Sequence, residues 1–93
     1  MDGREIGRIG SSHDGSRASI ARVLEAYRPL VVAMVARHAE GGGEDAVIEG
    51  VRGLFDALSR FDASSGSPFG AHAAYWIRRR LLEHRASLVA AAA

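Results

Sequence analysis

The chain has 93 residues, with no cysteine, no lysine, twelve arginines and a formal net charge of +1. That length allows one small domain with room for three or four helices, near the lower limit for a core that holds without staples. The missing cysteine excludes disulfides and thiolate metal sites, and the near-neutral charge excludes a generic nucleic-acid coat, whose affinity would come from many released counterions.

From Met1 to Ser16 the sequence is rich in glycine and serine and lacks apolar periodicity, so residues 1–16 are expected to be a disordered tail. The folded domain is expected over 17–88. A first helix begins near Ser16 or Ser19, either of which suits an N-cap, and its apolar face is Ile20, Val23, Leu24 and Tyr27. Pro29 lacks an amide donor and disfavours helix in the residue before it, which predicts a break near Tyr27 and Arg28. The second helix, "LVVAMVARHAE", is aliphatic on several sides and is expected to be the most buried. Gly41, Gly42 and Gly43 stop it. A third helix spans Glu44 to Phe61, with Glu44 and Asp45 at its positive dipole end and Val47, Val51, Leu54, Leu58 and Phe61 as its inward stripe. "DASSGSP" is a turn, and Pro68 opens the last helix. The alanine-rich end, 89–93, is expected to fray. The fold class is all-α, a small bundle of three to four helices.

At about 100° per residue, Gly70, Ala73, Ile77, Leu81, His84 and Leu88 share one side of the last helix. His72, Tyr75, Trp76, Arg79 and Glu83 share the other. An outward aromatic can replace the stacking partner of an unpaired base, a contact of ~1 to 3 kcal/mol per base, and a neighbouring arginine can reach phosphate or guanine. The pattern also admits a plainer reading, in which Trp76 completes the core and the arginines are a solvated surface.

The order of residues narrows this. The stretch "EGVRGLFDALSRFDASSGSPFGAHAAYWIRRRLLEH" resembles region 2 of housekeeping-type bacterial sigma factors. Glu49, Gly50, Gly53, Leu54, Ala57, Phe61, Asp62, Gly66, Phe69, Ala73, Trp76, Ile77 and Arg78 fall on the family pattern without a gap, and "YRPLVVAMVARHA" resembles its helix 2.1. The resemblance implies a sigma region 2-like bundle that binds core RNA polymerase and helps to recognise or melt the promoter minus-ten element. Asp45, Ile48, Glu49 and Arg52 would contact the clamp helices of the largest polymerase subunit, where an acidic residue can pair with clamp arginines. The alternative for these acids is a helix start stabilised by its dipole. His72, Tyr75, Trp76, Arg79 and Arg80 would contact promoter DNA on the non-template strand. His72 stands where the family has tyrosine, Tyr75 where it has tryptophan, and Arg79 at the upstream edge of the element.

The departures carry information too. Ile48 replaces a family glutamine and Val51 an asparagine on the clamp face, Gly70 and Ala71 replace small hydroxyl residues, and His72 offers less stacking surface than tyrosine. No region 4 helix-turn-helix follows. The expectation is a partner that supplies one, as in two-part sigma factors, or a longer parent chain; Met1 and the alanine-rich end fit a complete small protein. A second reading is a sigma mimic that binds polymerase or an anti-sigma factor without engaging DNA. A third is a plain helical bundle with only architectural likeness.

Other chemistry is not indicated. His13, His38, His72 and His84 lack metal-ligand spacing, the glycine run follows a helix instead of opening one, and no serine has an adjacent base. The chain is therefore read as a non-enzyme without cofactor or metal. It has neither the apolar stretch of a secretory signal nor a run long enough to cross a bilayer, which points to a soluble, cytoplasmic protein.

Overall fold

A computed structural model of the chain describes residues 1–10, 17–39 and 43–92. Among them four helices follow in order: α1 (Gly3–Gly10), α2 (Arg17–His38), α3 (Glu44–Arg60) and α4 (Phe69–Ala92), with one 3-10 turn, Ala63–Ser65, between the last two. The described residues contain no strand, so the architecture is all-α as expected. Ser16, Gly41 and Gly42, to which a cap and a helix stop were assigned, lie outside the described residues, as do 11–15, Glu40 and Ala93.

The α3–α4 pair is the most extensive packing in the molecule. Its inward ridge on α3 is Ala46, Gly50, Gly53, Leu54, Ala57 and Leu58. This corrects the expected stripe: Leu54 and Leu58 hold, but Val47 is 42% exposed, Val51 is half-buried, and Phe61 lies just past the helix end. The reason is the closeness of α4. A Cβ on Gly53 would lie 2.6 Å from Ile77 Cα and 2.8 Å from the Trp76 carbonyl oxygen, so only small residues fit where the helices cross. Across from them Ala73, Ile77 and Leu81 of α4 are fully buried.

α2 runs through Pro29 without the expected break, joining two predicted helices into one. A proline within a helix costs about 3 kcal/mol. Against that, Val23 on one side of Pro29 and Val31, Met34 and Val35 on the other are all buried in the same core, each contributing about 1.5–3 kcal/mol. Burial at both ends therefore holds the helix continuous. Ser19, offered above as a cap, is a buried residue inside α2.

The expected tail is also corrected over residues 3–10. These form α1, and Ile6 and Ile9 are buried in the common core. The Asp2 carboxylate accepts a hydrogen bond from the Glu5 amide at 2.8 Å, an N-cap that satisfies one of the orphan amides. Glu5 in turn pairs with Arg22 of α2 at 2.6 Å.

The corner between α3 and α4 is closed by rings. Phe69 meets Tyr27 of α2 edge-on at 4.9 Å and Phe61 at 5.1 Å. Asp62 caps the 3-10 turn by accepting from the Ser64 amide at 2.9 Å, and Gly66 takes the left-handed conformation, φ 79°, that reverses the chain. Beyond the corner α4 outlasts the bundle. Leu81 is its last buried residue, yet the helix continues to Ala92, past the expected boundary at 88.

Candidate nucleic-acid and polymerase interface

Residue 76 sits on the flank of α4 next to the buried ridge, and its indole is accordingly half-buried instead of fully outward as the helical wheel implies. One guanidinium comes to it from each helix. The Arg60 carbon Cζ lies 4.5 Å from the ring centroid and that of Arg79 5.2 Å, distances at which the cations are attracted by the ring face. Tyr75 meets Trp76 edge-on at 5.3 Å and is itself 58% exposed. Asp56, Arg60, Trp76, Arg79, Arg80 and Glu83 line one shallow recess of about 240 Å³ across α3 and α4.

The two arginines that α4 places in this recess each have a carboxylate of their own. Arg79 donates from Nε to Glu83 at 3.0 Å. Arg80 forks onto Asp56, donating from Nε at 2.6 Å and from Nη2 at 3.2 Å, and its third nitrogen lies 3.7 Å from Glu49. The Arg80 hydrogen bonds hold the Asp56 carboxyl below the usual carboxylate value of 3.8 against the opposing effect of burial. Arg80, assigned to DNA from the sequence, is thus placed with its fork turned to α3.

His72 is also tied to α3. Its Nε2 lies 3.1 Å from the carbonyl oxygen of Ala57, which fixes that nitrogen as the donor and satisfies one of the last carbonyls of the helix. Its ring sits between Phe61, at 5.8 Å, and Trp76, at 6.4 Å. The structure therefore brings His72, Trp76, Arg79 and Arg80 to one side of α4 together with two residues the sequence reading missed, Arg60 and Asp56. The spacing of Asp56 and Arg60, one turn apart at the end of α3, was a usable signal only once the α3–α4 crossing was known.

On α3, Asp45, Ile48 and Arg52 are exposed, with Ile48 at 49%. Glu49 is less available: its side chain is 18% exposed and pairs with Arg52 at 3.1 Å as well as approaching Arg80. Val47, also exposed, turns toward α2 and lines a separate recess with Val32, which is 57% exposed. Among the described residues no group of three or more His, Cys, Asp or Glu is placed to hold a metal ion, and no helix is long and apolar enough to cross a membrane.

Residues 23–89 match the family model for sigma-70 region 2. The chain is 38% identical over 71 residues to the RNA polymerase principal sigma factor HrdC of Streptomyces coelicolor, an alignment covering 74% of this chain and 21% of HrdC. It is 32% identical over 76 residues to RNA polymerase sigma factor SigA of Mycoplasma genitalium, and to that of Mycoplasma pneumoniae, covering 78% of this chain and 15% of each. The chain thus spans about a fifth or less of the length of these curated relatives. No solved structure matches it. With four helices and no strand among the described residues, and the matched segment running from within α2 to near the end of α4, the chain belongs to the sigma-70 region 2 family.

Proposed function

We propose that this chain is a sigma-like component of transcription initiation that binds core RNA polymerase through the outer face of α3 and captures unpaired bases of a promoter minus-ten element on the non-template strand at the Trp76 recess. The observation that carries the reading is the half-exposed indole with guanidinium groups from Arg60 and Arg79 over it. Such a ring offers a stacking surface for a base, and the cations are within reach of its phosphates. The names of HrdC and SigA, both RNA polymerase sigma factors, support the same reading. Tyr75 extends the aromatic surface outward, His72 holds α4 to α3, and Arg80 orients Asp56 at the rim. Asp45, Ile48, Glu49 and Arg52 make the polymerase contact, with Ile48 as its apolar centre. A helix-turn-helix outside these 93 residues, on a second sigma-like subunit or on a longer parent chain, reads the minus-thirty-five element.

One observation favours a second reading, a sigma mimic that binds polymerase or an anti-sigma factor without DNA: Asp56 and Glu83 neutralise two of the three arginines of the recess. The two are separated by the fluorescence of Trp76, the single tryptophan. Titration with single-stranded minus-ten oligonucleotide at low salt is expected to change its intensity saturably, and a flat response defeats the DNA arm. Ile48→Glu is expected to reduce recovery of core polymerase with the chain while leaving that titration unchanged. Undiminished recovery defeats the α3 face.

A further inference from the structure

We propose that the outer stripe of α4 is a docking face for an acidic amphipathic helix of a partner protein. The stripe is Tyr75, Arg78, Leu82, Arg85 and Val89, spaced alternately by three and four residues, so that at about 100° per residue it occupies an arc of about 80°. That spacing is the seam of a two-helix coiled coil. It lies on the opposite flank of the buried ridge Ala73, Ile77 and Leu81 from Trp76, Arg79, Arg80 and Glu83, and of its members only Tyr75 also belongs to the base-binding reading.

Every member of the stripe faces solvent. Tyr75 is 58%, Leu82 37% and Val89 65% exposed, and Arg78 and Arg85 are exposed as well. The outer half of the stripe is carried on the part of α4 past Leu81, where no residue is buried. A helical extension of that length, about 16 Å, propagates from a helix already nucleated, which leaves its outer apolar residues Leu82 and Val89 open to pack against another surface. Among the described residues that face has no cover.

Charge selects the occupant. Arg79 and Arg80 each meet a carboxylate of the same chain, whereas neither Arg78 nor Arg85 makes an ion pair among the described residues. Two unpaired arginines seven residues apart, about 10.5 Å along the axis, match acidic side chains seven apart on a facing helix. A second copy docked by the same stripe would set positive charge against positive charge, since the stripe carries no acid. Nucleic acid would satisfy the arginines but offers its backbone no apolar counterpart for Leu82 and Val89. A helix with an apolar seam flanked by glutamates satisfies both.

The test uses the full chain and two labelled peptides of about four heptads, monomeric at working concentration, identical in their apolar seam but flanked by Glu in one and by Lys in the other. By fluorescence anisotropy the wild-type chain is expected to prefer the Glu peptide by about tenfold or more, a difference in affinity of about 1.4 kcal/mol. Arg78→Glu with Arg85→Glu should invert the preference. Leu82→Gln with Val89→Gln should weaken both peptides, and circular dichroism should show helix content retained in each variant. Arg78→Gln with Arg85→Gln, which removes charge without reversing it, should abolish the preference. Binding of neither peptide by wild type, or the same preference in the charge-reversed variant, overturns the proposal. So does self-association that the Leu82 and Val89 changes abolish, or displacement of the Glu peptide by an oligonucleotide of unrelated sequence or by anionic phosphatidylglycerol vesicles.

Discussion

Replacing Gly53 by alanine should force apart α3 and α4, the two helices that pack most extensively in the molecule. The new carbon would lie 2.6 Å from Ile77 Cα, 2.8 Å from the Trp76 carbonyl oxygen and 2.9 Å from the Ile77 amide nitrogen. All three are backbone atoms, so no rotamer change relieves the clash and α3 must part from α4. Overpacking of a tight core costs about 1–3 kcal/mol, and the backbone nature of the contact puts this case at the upper end. Alanine returns about 1 kcal/mol of helix propensity, leaving a net loss of about 2 kcal/mol. For a domain of this size that is a fall in Tm of about 8–16 °C. Gly70→Ala is the matched control, because nothing lies within 4 Å of its Cβ position, and it should leave Tm unchanged or slightly raised. Thermal unfolding followed by circular dichroism reads both. A Gly53→Ala protein that melts within a few degrees of the parent would refute the close crossing on which the placement of Trp76 depends.

Three other outcomes are expected. Because the folded pKa of Asp56 is lowered by Arg80, the pair's contribution is complete above the ordinary carboxylate value of 3.8 and is lost as pH falls through the lower folded value; acid titration of stability should therefore be less steep below that value in Asp56→Asn than in wild type, and parallel curves would count against the pair. Ile6, which is 1% exposed, should cost about 2 kcal/mol when cut to alanine, the low end for buried aliphatics because a short terminal helix can instead detach; loss of amide-exchange protection confined to α1, or a lowered Tm, would show it, and no change in either would return α1 to a free tail. With two of the three recess arginines neutralised in place, oligonucleotide affinity should fall with salt at a logarithmic slope of about −0.7, the value for one phosphate contact on a single strand. A slope near three times that would mean Asp56 and Glu83 release their partners.

Much of the site was readable as order and spacing. The bounds of α3 and the start of α4 came from acidic and proline signals that act locally, and the buried trio Ala73, Ile77 and Leu81 came from a helical period. What failed was whatever depends on closeness. Gly3, Gly7 and Gly10 made residues 1–16 look unstructured, yet the missing side chains of Gly7 and Gly10 are what let α1 lie against Ala63 and the carbonyl of Leu58. Ala46, Gly50, Gly53 and Ala57 form the true ridge of α3, and a hydrophobicity pattern gives such residues little weight beside Val47. Pro29 was read by its local cost alone, while the compensating burial of Val23 and Val31 comes from helices distant in sequence. Arg80 and Glu49 were assigned to separate partners on separate helices, and only the crossing reveals that they approach each other.

The ring cluster at the corner has one more consequence. Tyr27, Phe61 and Phe69 pin three helices at a single point, so the angle between α3 and α4 is set before any visitor arrives. Arg60 and Trp76, though borne on different helices, need no mutual search, and the rotational freedom that a jointed pair would surrender on contact has already been given up during folding. Association at this cleft should accordingly proceed in one kinetic phase, limited by encounter and not by rearrangement.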